Sequence, residues 1–433
     1  MTNFLRPVAC IQGHLNASGL ELRGRRLAQF CKKALSPVTG VSPTAAIVVG
    51  TAVTAAGLAC AAFLYFAGIL YVPGKGWNWL LFDEADMDVY FSSASWIIEG
   101  GHLYRQEASV YPLFANFIFA ILRYLSNLLH SGIDGFYGLW VVSTWIVYLY
   151  AVYRIATGTT MLAALAWLAP APIYFAIFRY DIYPAVATLM SLFAIRRTHY
   201  LEGAIWLGVA VALKGYALWL LPVYCVFMFY QRGFAAAVKV GALAVTPMIV
   251  CLLATLTFTG WEGIVAPLKF HALRTLNGES SYDALNYLFS VPVVPDGSTV
   301  RWVAQFLQVG CALAAAAMRP RKFDDLANSF LFAVLGFMSF SVFYSPQYVL
   351  WVLPLVCFSR PPVVIISAIC LSWVTYLYNP VGWLLYQQYG YPNLYKAAII
   401  AVSSLRLFMM FLAVREYFKH QSVTRDFITA KTA

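Results

Sequence analysis

The chain is 433 residues long, 61% hydrophobic and 11% charged, with a formal net charge of +11 and a mean hydropathy of +0.72. Soluble domains carry roughly 25% charged residues, so the composition excludes an ordinary soluble globular protein. In a chain this apolar the basic excess reads as cytoplasmic loop anchoring, not as nucleic-acid binding.

In chain order, the arm 1–43 comes first, with Arg6, Arg23, Arg25, Arg26, Lys32 and Lys33. It is too long and polar for the n-region of a signal peptide, and its charge is expected to hold it in the cytoplasm. A first span is expected from Thr44 to Tyr71. A first extracytoplasmic stretch, 72–130, would follow. It gathers Asp83, Glu84, Asp86 and Asp88 within six residues of an otherwise nearly uncharged region. Its second part, "YPLFANFIFAILRYLSNLLH" (111–130), is long enough to cross. If it crossed, the basic turns "RRTHY" (196–200), "QRG" (231–233) and "RPRK" (319–322) would face outside. The positive-inside preference therefore makes it an interfacial helix.

Further spans are expected near 136–154, 159–178, 182–195, 203–217, 217–230, 238–259, 301–318, 326–343, 346–358, 361–378 and 396–414. A second extracytoplasmic loop is expected at 260–300 and a cytoplasmic tail at 415–433. The expectation is one all-α polytopic membrane domain, 44–414, of about 12 transmembrane helices. Eight cysteines stand singly without CxxC or Cys/His spacing, so neither a disulfide framework nor a zinc site is indicated.

This parity gathers the polar outliers on one face. They are the acidic stretch, "FRYD" (178–181), Lys214, "FHALRTLNGESSYDALNY" (270–287) and "YSPQ" (344–347). Ionisable groups at membrane depth are costly and usually mark function. Each also has a structural reading. Asp83, Glu84 and Asp88 can be solvated charges, Arg179 and Asp181 can pair with each other, Lys214 can snorkel, and Gln347 can cap the helix that Pro346 starts. His271 and Arg274, three residues apart, would share a face on a helical turn and suit a phosphate.

"DMDVYFSSASWIIEGGHLY" followed by "VYP" resembles the first extracytoplasmic loop of GT-C glycosyltransferases, especially glycosyltransferase family 87. The matching positions are Asp86, Val89-Tyr90, Gly101 with Tyr104, and Tyr111-Pro112; Leu113 departs from the second Pro often seen there. "FRYD", "GVAVALKGYALWLLP", "FHALRTLNGES" and "SPQYVLWVLP" are similar to later family segments, although Ala217 stands where a Pro is usual.

The resemblance implies a GT-C-type bundle with an extracytoplasmic catalytic loop. It also implies an inverting transferase that moves a sugar, by family weight mannose, from a polyprenyl-phosphate donor to a lipid- or glycan-linked acceptor. Asp86 would be the catalytic base; His271, Arg274, Lys214 and Arg179 would hold the donor phosphate. Asp88, Tyr90, Asp181, Glu279, Tyr344 and Gln347 would contact substrate. No cofactor is required, although Asp86-Met87-Asp88 has the form of a metal-binding DxD. Alternatives are a secondary transporter or a lipid-linked-glycan flippase or polymerase, which would place its polar groups differently. The sole sequon, at Asn16 on the arm, favours a bacterial or archaeal plasma membrane with both termini cytoplasmic.

Overall fold

The computed structural model describes residues 85–99, 111–295, 297–359 and 361–432. The basic arm, the expected first span, Asp83, Glu84, Gly101 and Tyr104 lie outside the described residues.

Every regular element described is helical. In order these are α1 (Ala85–Ile98), α2 (Leu113–Leu128), α3 (Gly132–Gly158), α4 (Met161–Trp167), α5 (Pro170–Phe178), α6 (Ile182–Arg196) and α7 (Tyr200–Leu213). A 3-10 turn, Gly215–Leu220, leads into α8 (Leu221–Arg232) and α9 (Phe234–Ala272). Then come α10 (Ser281–Phe289), α11 (Ser298–Ala317), α12 (Phe323–Ser339), the 3-10 turn Pro346–Tyr348 and α13 (Val349–Val356). α14 (Pro362–Tyr376), a π turn at Leu377–Gly382, α15 (Trp383–Tyr389) and α16 (Pro392–Thr432) complete the chain.

Among the described residues five stretches are long and apolar enough to cross a membrane: α3, α9, α11, Pro362–Gln387 and Pro392–Lys419. The pair α4–α5 makes a sixth if its 54° bend is one broken span. At a rise of ~1.5 Å per residue, α6, α7 and α13 fall short of a ~30 Å hydrocarbon core. α2 also stays below the crossing length.

Several expected boundaries move, each for a local reason. The acidic stretch is helical where described, because Ala85–Ile98 has no internal Gly or Pro. The expected span 159–178 is broken by Pro170, which starts a new helix at its first turn. The expected loop 260–300 is largely helical. α9 runs on to Ala272 through a kink at Gly260, whose φ of +71° suits a residue without Cβ. Past Ala272, α10 is nucleated by Ser280, whose Oγ accepts from the Asp283 amide at 3.1 Å.

The centre of the bundle is α6 and α13. Nearly all of α6 and every residue of α13 are buried, which their largely apolar sequences permit; the buried Thr188 and Ser191 hydroxyls donate to the Pro184 and Gly203 carbonyls. Around them α6 packs on α7, α7 on α9, α8 on α9, α11 on α12 and α12 on α16. α9 and α11 turn large apolar side chains outward: Phe258, Trp261, Trp302 and Phe306 are each at least two-thirds exposed. An apolar exterior of this kind matches lipid, not water.

The three basic turns come together at one end. Thr198, His199, Arg232 and Lys239 line one cavity of about 540 Å³, and the Gln231 amide donates to the Arg321 carbonyl. Lys214 caps the opposite end of α7.

Candidate active site

A cavity of about 790 Å³ opens at the Lys214 end of α7. Asp86, Lys214, His271, Arg274 and Gln347 all line it. They come from four separate stretches of chain, so only the fold brings them together.

Asp86 sits in the first turn of α1. One carboxylate oxygen accepts from the Tyr90 hydroxyl at 3.3 Å and lies 3.3 Å from an Arg179 guanidinium nitrogen. Tyr90 is fully buried. Its ring lies 4.4 Å from Phe119, 4.7 Å from Trp140 and 5.3 Å from Tyr111. These rings fix the hydroxyl that orients Asp86. Tyr90, expected to touch substrate, is therefore one turn behind the carboxylate and off the cavity wall.

Asp88 accepts from the Tyr137 hydroxyl. Residues two apart on a helix stand about 200° apart, so α1 sends Asp86 and Asp88 to different sides. The DxD expected as a possible metal site does not converge on one point. Among the described residues no three His, Cys, Asp or Glu side chains come together.

The suggested Arg179–Asp181 pair is not what forms. Arg179 lies in the extended break between α5 and α6 and turns to Asp86. Asp181, fully buried, pairs with Lys214 at 2.7 Å and accepts from the Trp351 indole at 2.7 Å. The two residues have different partners because Arg179 is extended while Asp181 already has the helical conformation that starts α6. Lys214 ends α7 in extended conformation. Its ammonium sits 4.5 Å from the Tyr180 ring and 5.1 Å from the Trp351 ring. Here it is a held cation at a cavity wall, not a snorkelling one.

His271 is in the last turn of α9 and Arg274 follows the helix end. The helix stops at Ala272, so the two do not share a helical face, yet both reach the cavity. The Arg274 guanidinium lies 3.8 Å from the Phe343 ring centre and also meets the Tyr348 hydroxyl. Gln347 accepts from the Ser345 hydroxyl at 2.5 Å.

Glu279 and Tyr344 do not line the cavity. Glu279 accepts from the hydroxyls of Tyr395 at 3.1 Å and Tyr378 at 3.4 Å. Asn277 donates to the Tyr344 carbonyl at 2.5 Å and accepts from its amide at 3.3 Å. Tyr344 is buried beneath the Arg406 guanidinium, 3.9 Å from its ring centre. These groups tie the Arg274 loop and the Ser345–Tyr348 segment to α16. Sequence reasoning passed over Arg406; its signal was a lone cation inside the apolar run "AVSSLRLFMM". Arg406 is fully buried and donates to Ser281 at 3.0 Å and Ser403 at 2.9 Å.

Burial pushes the Glu279 carboxyl up from 4.5 to about 7, against the lowering effect of its two tyrosine donors. The folded protein thus binds this proton more tightly than the unfolded chain does. The contribution is fully present below about 4.5 and is lost as pH rises through about 7. Thermal unfolding in detergent is expected to show stability falling across that window. Glu279→Gln should flatten the fall; an unchanged pH slope in the variant would assign the titration to another group.

The family model of glycosyltransferase family 87 matches residues 110–346, more than half of the chain. The match includes Arg179, Asp181, Lys214, His271, Arg274 and Glu279 and begins after Asp86. No curated protein and no solved structure matches the chain.

Proposed function

The chain belongs to glycosyltransferase family 87, and on that premise we propose that it moves a sugar from a polyprenyl-phosphate donor to a lipid- or glycan-linked hydroxyl. The observation that carries this reading is one carboxylate, Asp86, and four basic side chains, Lys214, His271, Arg274 and Arg301, on a single cavity. The cavity's remaining wall supports a lipid substrate. From Met248 to Leu268, α9 lines it with mainly apolar side chains, a surface suited to a prenyl chain.

In this proposal Asp86 takes the acceptor hydroxyl proton as that oxygen attacks the anomeric carbon. The new bond forms with inversion, and the bond from the anomeric carbon to the phosphate oxygen breaks. Its electron pair leaves with polyprenyl phosphate, which turns from diester to monoester and gains negative charge. Lys214, Arg274 and His271 stand where fixed cations and donors stabilise that charge. Arg179 holds Asp86 in place. The protein is a multi-pass membrane protein. The proposal puts the cavity on the extracytoplasmic side of a plasma membrane and both termini inside, from the basic turns at the other end of α7. Mannose is the sugar the family favours.

The test is the purified protein in liposomes with a panel of radiolabelled polyprenyl-phosphate sugars and a lipid extract as acceptor. Transfer from one member of the panel is expected. Solute flux without transfer would overturn the reading. Arg274→Ala should weaken donor binding through loss of charge-assisted hydrogen bonds worth about 1.5–3 kcal/mol. Native donor affinity in that variant would move the phosphate away from Arg274.

A further inference from the structure

α11 is one of the helices long and apolar enough to cross a membrane. Its outward side chains include Trp302, Val303, Phe306, Val309 and Leu313. Yet Arg301, Gln305 and Gln308, at i, i+4 and i+7, all line the large cavity. That spacing is one helical stripe. Ala304, between the first two, also lines the cavity and keeps the stripe open.

Polar side chains on a spanning helix are costly unless something satisfies them. The Gln308 amide nitrogen donates to the Phe337 carbonyl at 3.4 Å, which steadies the side chain and leaves its carbonyl oxygen. Among the described residues Arg301 and Gln305 have no side-chain hydrogen bond or ion pair. Two of the three polar side chains on this stripe therefore have no hydrogen-bond partner among the described residues.

We propose that Arg301, Gln305 and Gln308 form the subsite for the hydroxyl-rich head of the acceptor. This rests on the transferase reading above and adds the acceptor's chemical class to it. A primary amide offers two donors and an acceptor, which matches a sugar or cyclitol hydroxyl that both gives and takes hydrogen bonds. Neutral amides suit a phosphate poorly, and the cavity's other cations, Lys214 and Arg274, come from different elements. Arg301 adds a rigid fork of donors at the helix start, able to span two neighbouring hydroxyls.

The experiment uses the full chain in nanodiscs. Saturation-transfer NMR is recorded with methyl α-mannoside, methyl β-glucoside and myo-inositol. Undecaprenyl phosphate binding is read separately by tryptophan fluorescence. At least one polyol should show saturation transfer. Gln305→Leu with Gln308→Met should cut it by about tenfold or more, and Gln305→Asn should fall between. Undecaprenyl phosphate binding should survive in both variants. No signal from any polyol on the unaltered protein overturns the proposal. So does an undiminished signal in the double variant, or joint loss of polyol and undecaprenyl phosphate binding. Failure of the unaltered protein to bind undecaprenyl phosphate, with the polyol results intact, sinks the donor reading and leaves the subsite standing.

Discussion

Asp86→Asn is expected to lower sugar transfer by at least about 10²–10⁴-fold while leaving the fold and donor affinity in place. A sugar hydroxyl is a poor nucleophile at neutral pH, and the variant keeps the shape of the side chain but not its basicity. An amide oxygen in the place of the carboxylate oxygen still accepts from both Tyr90 and Arg179, so the side chain keeps its orientation. Asp88→Asn should cost far less. α1 turns Asp88 away from Asp86 and toward the Tyr137 hydroxyl. Turnover of both variants, each checked for expression and donor binding, decides the matter. An inactive Asp88→Asn beside an active Asp86→Asn would mean the base is read two residues out of register. Native turnover in both would remove the catalytic carboxylate from the proposal.

Much of this site could be read from the chain because its charges are rare. In a protein 11% charged, the acidic stretch around Asp86, the lone Lys214 and the His271–Arg274 pair stand out, and one topological choice places them on one face. Their pairing could not be read. "FRYD" presents Arg179 and Asp181 as neighbours, yet the break between α5 and α6 sends one to Asp86 and the other to Lys214. Hydropathy also overstates continuity. Pro170 breaks an apolar run that the window averages across, and at Gly260 the error is the reverse, since α9 bends there and runs on where a loop is expected. The helical state of Asp86-Met87-Asp88 was obscured by the loop assignment, and with it the divergence of the two carboxylates. Arg301, Gln305 and Gln308 escaped notice because the span around them is otherwise apolar. Only the bundle shows that they fall on the cavity side.

Asp181→Asn is expected to destabilise the protein by about 3–5 kcal/mol, because it leaves the Lys214 ammonium without its buried counter-charge. Lys214→Met should cost a similar amount by stranding the Asp181 carboxylate, whose oxygen would keep only the Trp351 indole donor. The double variant, Asp181→Asn with Lys214→Met, removes both charges. Its amide can still accept from Trp351, and a methionine fills the lysine's path between the Tyr180 and Trp351 rings. Most of the lost stability should return, so thermal unfolding of the four proteins should show strong coupling between the two positions. Transfer should not return. If Lys214 steadies the departing phosphate, removing one such preorganised group costs roughly 10²–10³-fold in turnover, whatever the fold's stability. A stable double variant that transfers at the native rate would reduce Lys214 to a structural cation and leave the phosphate to Arg274 and His271. Single variants as stable as the parent would show instead that the pair is not held as two charges. A stable, folded and inactive double variant is the outcome that ties this buried ion pair to the chemistry of the cavity beside it.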